Sequence, residues 1–210
     1  MPNTQRTRAK RLPAEERRQQ ILDAAVDVFA RLGYDGAGTA DIAAAAEIGE
    51  PTIYRYFEGK RDLYIEAVRQ CSIEIAEKWE RIIESSGDAR EAIYLLGRWY
   101  YEELRRHPEQ LVLRFKTFTE SNDPEMTRAV REAYLRNQQM VQGLYERAKK
   151  EGSLREDANA SALAWLFMAV GAIIDVTYLL GLQDDEFGPK ELQDIGKLWG
   201  PSVWTQEQIS

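Results

Sequence analysis

A chain of 210 residues with 44% hydrophobic and 30% charged side chains has an ordinary globular balance, which excludes a disordered or fibrous protein and leaves room for one large domain or two unequal ones. One cysteine, Cys71, excludes an intrachain disulfide, and one histidine, His107, leaves no familiar zinc constellation. The expectation is a reduced, cytoplasmic protein that uses no metal and no cofactor. A net charge of −7 would repel nucleic acid if it were uniform, but residues 1–62 carry ten basic and ten acidic side chains, so the deficit lies beyond them.

Residues 1–12 are polar and basic, with Arg6, Arg8, Lys10 and Arg11, and no apolar core follows them to make a secretory signal. Pro13 can open a first helix, with Glu15 and Glu16 in its first turn. Ile21, Leu22, Ala25, Val28, Phe29 and Leu32 form its apolar stripe, and Gly33 is its expected C-cap. Tyr34 to Gly38 reads as a loop. Thr39 is the expected N-cap of a short helix, Ala40–Ala46. After the turn Glu47-Ile48-Gly49, Pro51 starts a third helix reaching Phe57. A long helix begins at Lys60 or Arg61 and runs to about Ser85, with Leu63, Ala67, Cys71 and Ile75 on one face.

The remaining periodicity predicts helices over Asp88–Arg106, Pro108–Glu120, Pro124–Glu151, Asn159–Leu182 and Pro189–Trp199. Ala162 to Leu182 is the longest apolar stretch. Asp175 interrupts it, so a buried helix is expected rather than a membrane span. The fold class is all-α. It divides into an N-terminal three-helix domain with a basic arm, residues 1–62, and a larger helical domain, residues 63–210.

Two short helices and a tight turn, set on a first helix, form a helix-turn-helix, whose last helix enters the major groove of DNA. Ile42, Ala45 and Ile48 are expected to pin the second helix and the turn, and Ile53 and Phe57 the third helix. Glu50, Pro51, Thr52, Tyr54, Arg55 and Tyr56 are then left to project. Thr39, Tyr54 and Tyr56 can hydrogen-bond phosphates, and Lys60 can act on the backbone as a point charge. Arg55 can reach guanine or a phosphate, while Pro51 and Thr52 can meet base edges or a thymine methyl. Glu50 can accept from a cytosine amine, or simply sit favourably at a helix N-terminus. Tyr54 and Tyr56 can alternatively pack inward.

These residues resemble the DNA-binding domain of the TetR family of bacterial repressors. The resemblance is carried by Arg18-Gln19-Gln20-Ile21-Leu22-Asp23-Ala24-Ala25, Phe29-Ala30-Arg31-Leu32-Gly33-Tyr34, Asp41-Ile42-Ala43, Pro51-Thr52-Ile53-Tyr54-Arg55-Tyr56-Phe57 and Gly59-Lys60-Arg61-Asp62-Leu63. It implies DNA contact from Thr39, residues 50–52, Tyr54, Tyr56 and Lys60. Two departures stand out. Glu47 occupies a turn position usually held by glycine, and Glu50 replaces a commonly basic or small polar residue.

A single helix-turn-helix makes few base contacts, so pairing as a homodimer on two half-sites is expected. The resemblance implies an interface built from the last two long helices. Ala162, Leu166, Ala169, Ile173, Val176 and Leu180 form a stripe suited to it, or to the core of one subunit. The resemblance also implies a small-molecule effector cavity in the body. Candidate wall residues are Trp99, Phe115, Phe118, Tyr134, Phe167 and Tyr178, with Asp175 as the polar group. Asp175 can instead pair with an arginine such as Arg98 or Arg114.

The resulting expectation is a DNA-binding transcriptional regulator, most simply a repressor released from its operator by an effector. The partners are double-stranded DNA, a second copy of the chain and a small molecule, with no membrane. An activator would use the same parts. A helical-bundle enzyme or carrier is the rival class, but the chain offers no nucleophile–base pair and no glycine-rich phosphate loop.

Overall fold

The computed structural model describes residues 12–120, 123–183 and 186–205. The basic side chains of Arg6, Arg8, Lys10 and Arg11 lie outside them. The described residues form helices joined by short turns, with no strand beyond two isolated bridges. The helices are α1 (Ala14–Gly36), α2 (Thr39–Ala45), a 3-10 segment (Glu50–Arg55), α3 (Lys60–Ser85), α4 (Ala89–Arg106), α5 (Pro108–Glu120), α6 (Pro124–Lys150), α7 (Ala160–Leu179) and α8 (Pro189–Val203). They separate into two compact units, Met1–Ala67 and Val68–Ser210, and the division falls inside α3.

In the first unit, α2 packs on α1 and on the 3-10 segment. Ile21, Leu22, Ala25, Val28 and Phe29 are buried along α1, whereas Leu32, expected in the same stripe, is 40% exposed. It lies just before Gly33, whose positive φ of 72° breaks the helical path and turns the stripe away from the core. One more turn follows this break before the chain leaves α1 at Gly36. Gly38, rather than Thr39, precedes α2, and its N–H donates to Asp41 Oδ2 at 2.8 Å. Ala45 is exposed. Ala43 and Ala46 are buried in its place beside Ile42, because the helix phase is shifted by one residue from that expected.

Helix ends in this chain share one device. After α6 and α7 the chain turns left-handed at Gly152 (φ 76°) and Gly181 (φ 68°). The residue at each turn donates to a carbonyl in the last turn, and the next N–H reaches one residue further back. α2 ends with the same pair of bonds, Glu47 N–H to Ala44 O and Ile48 N–H to Ala43 O. Here the left-handed position holds a glutamate, with φ 53°. A side chain at such φ costs about 1–2 kcal/mol. The turn therefore keeps the shape of the two glycine turns and carries strain where glycine would carry none.

In the second unit, α4, α6 and α7 surround a core of Leu96, Val141, Leu144, Tyr145, Leu163, Ala164 and Met168, to which α3 adds Ile75 and Trp79. Asp88 and Asn159 start α4 and α7 by accepting from backbone N–H groups three residues on. Cys71 is buried, and burial pushes its thiol up to about 12. Although α7 is long and apolar enough to cross a bilayer, only 28% of its most apolar window is buried. The expected buried helix is thus buried on one side. Leu163, Ala164, Met168 and Ile174 face the core, and Trp165, Leu166, Ile173 and Leu180 are exposed.

Replacing Glu47 with glycine should stabilise the first unit by about 1 kcal/mol, and valine there should destabilise it. Chemical denaturation of the two variants checks this. Equal midpoints would mean that the left-handed turn stores no strain.

Candidate functional site

Between Gly49 and Gly59 the first unit has only two large apolar anchors. Ile53 is 0% exposed and Phe57 is 3% exposed. Arg18 lies over the Phe57 ring, 5.0 Å from its centroid, and its Nη2 meets Glu66 Oε2 at 2.7 Å. The recognition segment is thereby braced from α1 and α3. It winds as a 3-10 helix rather than the expected α-helix, closed by Thr52 N–H to Gly49 O and Tyr56 N–H to Ile53 O. Six residues between Gly49 and Tyr56 give room for little more than one turn, and the tighter coil fits both anchors into the core.

The expected contact residues lie outside this core. Pro51, Tyr54 and Arg55 are exposed, and Thr39, Glu50, Thr52, Tyr56 and Lys60 are half-buried. Tyr54, at 55% exposure, does not pack inward. Thr39 Oγ1 donates to Glu50 Oε1 at 2.5 Å and lies 3.1 Å from the Tyr54 hydroxyl. The start of α2 and the recognition segment thus present a single polar cluster. Lys60 Nζ sits 4.6 Å above the Tyr34 ring and 3.5 Å from the Asp35 carbonyl, which orders its ammonium at the first turn of α3. Sequence reasoning had no signal for the Thr39–Glu50 bond, since eleven residues separate the partners.

The body's polar centre consists of Tyr100, Arg114 and Asp175. Tyr100 donates to Asp175 Oδ1 at 2.7 Å and accepts from Arg114 Nη2 at 2.9 Å. Asp175 therefore engages Arg114 through a phenol rather than directly, and Arg98 instead pairs with Glu102 on the surface. Burial raises the Asp175 carboxyl to about 6, opposed by the Arg114 charge and the Tyr100 hydrogen bond. Trp99, Tyr100, Arg114, Ile75, Leu104 and Leu111 border a cavity of about 20 Å³, room for roughly one water.

The aromatic wall residues are dispersed. Of the seven proposed, Trp99 borders this cavity, and Asp175 reaches one of its lining residues through Tyr100. Phe118 is 74% exposed, because the α5 face on which it lies is not covered. Phe167 packs edge-on against Trp79 in the core, and Tyr178 joins the cluster of Tyr101, Leu104, Leu111 and Ile174. Tyr134 stacks on Trp165 near the surface, and Phe115 is half-buried. Tyr100 and Arg114 were missed as a pair. Their spacing of fourteen residues spans two helices and leaves no periodic trace.

Residues 21–67 match the TetR family of bacterial regulatory proteins. They lie within the unit that carries the polar cluster. Among the chain's relatives is the transcriptional activator FasR of Mycolicibacterium smegmatis, 33% identical over 41% of this chain and 39% of FasR. The transcriptional repressor KstR2 of Rhodococcus jostii is 25% identical over 77% of this chain and 79% of its own length. A transcriptional regulator from Saccharomonospora viridis, solved with choline, superposes with a TM-score of 0.79 at 23% identity. That superposition covers 91% of this chain and all of the S. viridis chain, and it extends the shared fold through the body.

Asp175 has a raised carboxyl in the folded state, so its contribution to stability is full below the unfolded value of about 3.8 and is lost as pH rises through about 6. Asp175→Asn, which still accepts from Tyr100, should stabilise the protein at pH 7.5 by up to about 3 kcal/mol. The gain should vanish near pH 4. Thermal melts of both proteins across that range check the sign, and a pH-independent difference would contradict it.

Proposed function

We propose that this TetR-family regulator is a homodimeric repressor that binds an operator through the Thr39–Glu50–Tyr54 face and leaves it when a small molecule occupies the body. The carrying observation is the exposed polar recognition segment, held from behind by buried Ile53 and Phe57. In this reading Tyr54, Tyr56, Thr39 and Lys60 take phosphates, and Pro51, Thr52 and Arg55 lie along base edges. Glu50 already holds the Thr39 hydroxyl. A phosphate can take that hydroxyl only if Glu50 releases it, for which a cytosine amine is a suitable replacement partner.

Pairing supplies the second half-site. The exposed side of α7, with Ala162, Leu166, Ala169 and Ile173, and half-buried Val176 above Leu180, is an apolar surface without cover in one chain. Leu198 on α8 is 82% exposed and can extend it. A second copy is the occupant that the helix-turn-helix requires, since two reading heads must meet successive major grooves. The cytoplasm, where DNA and reduced thiols coexist, is the matching compartment.

The choline held by the S. viridis regulator supports a small-molecule site in the body. Release requires only that the effector favour an arrangement in which the heads no longer fit their half-sites. FasR is named an activator, so the sign of regulation needs its own test.

A gel shift against DNA flanking the protein's own gene should give a salt-sensitive, sequence-selective complex. Combining Tyr54→Phe with Lys60→Ala should weaken binding to every sequence and flatten the salt dependence. Glu50→Ala should instead relax base preference at one position per half-site, by about 1–3 kcal/mol. A complex indifferent to sequence would overturn operator recognition, and reporter output that falls when the gene is deleted would reverse the sign.

Introducing Ile173→Glu on the outer side of α7 should halve the mass seen by sedimentation and abolish operator binding. A dimer that survives this charge would place the pairing surface elsewhere.

A further inference from the structure

Four buried hydrogen-bond donors in the body have no partner among the described residues: Trp79 Nε1, Trp99 Nε1, Arg114 Nε and the Tyr145 hydroxyl. Arg114 Nε and Trp99 Nε1 are buried and unpartnered, and both residues border the same small cavity. Buried donors are ordinarily satisfied, and two orphans around one space indicate a missing acceptor. The Arg114 guanidinium spends Nη2 on Tyr100 and makes no ion pair among the described residues. The carboxylate that acts on it, Asp175, is bonded to the Tyr100 hydroxyl. A buried cation is thus only indirectly compensated.

The remaining lining divides by chemistry. Ile75, Leu104 and Leu111 are apolar, and Glu103, His107 and Gln110 bring polar side chains. Gln110 Nε2 is already donated to Glu74 Oε2, and His107 faces Glu109. The acidic side chain of Glu103 disfavours a second negative group beside the first.

We propose that the body's effector carries a single anionic, acceptor-rich head group, a carboxylate on an apolar tail, which takes the free donors of Arg114 and Trp99 while Ile75, Leu104 and Leu111 contact the tail. The inference rests on the small-molecule site of the preceding subsection and names its chemistry. A carboxylate matches both donors at once, and the planar guanidinium suits its geometry. A cationic head would meet Arg114 with like charge. A space of about 20 Å³ holds only the head's first atoms, so binding must part the side chains of α4 and α5 around it. Charge neutralisation at Arg114 gives the ligand-bound body an electrostatic arrangement different from the empty one, which is the differential affinity that a switch needs.

The test uses the full chain and three probes of one tail: decanoate, methyl decanoate and decyltrimethylammonium. Binding is read by quenching of tryptophan fluorescence and by shift in melting temperature. Decanoate should bind at least tenfold more tightly than the other two. Arg114→Met should erase that preference while binding the methyl ester as before, and Arg114→Lys, which keeps the charge, should retain part of it. The far-ultraviolet spectrum and operator binding of each variant report its folding. Ester or ammonium binding as tight as decanoate, or decanoate binding unchanged in a folded Arg114→Met protein, overturns the head-group assignment while leaving a ligand site intact. Binding of none of the three overturns the assignment and the effector site together, and operator binding measured in parallel stands apart from both.

Discussion

Everything the first unit can do depends on burying two side chains four residues apart. Ile53 and Phe57 are the only large apolar residues between Gly49 and Gly59, and each is inside. Their burial contributes about 2 kcal/mol apiece and fixes the rotation of the segment about its own axis. Tyr54 and Arg55 between them are then turned outward by geometry, not by their own preference, and Tyr56 is left half-buried. Arg18 closes the arrangement from behind, over the Phe57 ring and against Glu66, so the segment is held by elements before and after it in sequence. Precision of this kind is what a base-reading surface requires, since small displacements lose phosphate and base contacts together.

The body follows a different logic. Its core is an apolar meeting of α3, α4, α6 and α7, into which one polar trio has been admitted. Tyr100 mediates between a buried guanidinium and a carboxyl with a raised pKa, and the trio is incompletely satisfied. Burying such groups costs stability unless every donor finds an acceptor. The retained imperfection lies beside a small void. The outer side of α7 repeats the theme on a larger scale, as apolar surface that one chain leaves uncovered.

Much of this was legible from residues alone. Capping and proline signals located α4 through α6 to within a residue, because Asp88, Pro108 and Pro124 act locally. At Glu47, where the resembled family usually has glycine, the sequence left a strained or a differently shaped turn open, and the left-handed φ of 53° is the strained one. What was not legible depends on distance in three dimensions. Periodicity could not tell a 3-10 coil from an α-helix over six residues, nor separate Phe167 in the core from Phe118 on the surface. Phe167 lies on the apolar α7 and Phe118 on α5, and only the packing of each helix against its neighbours distinguishes them. The Thr39–Glu50 bond and the Arg114–Tyr100–Asp175 relay join separate elements, so no local rule reveals them.

The buried sulfhydryl in α3 has a practical meaning. Cys71 is the chain's sole thiol, and at neutral pH the reactive anionic form is almost absent because burial holds the proton in place. A native molecule therefore resists alkylation and oxidation there without any protective partner. Labelling chemistry can be directed to a cysteine installed elsewhere with no need to remove the natural one, and any adduct that does appear at Cys71 marks a molecule whose α3 has come loose from its neighbours.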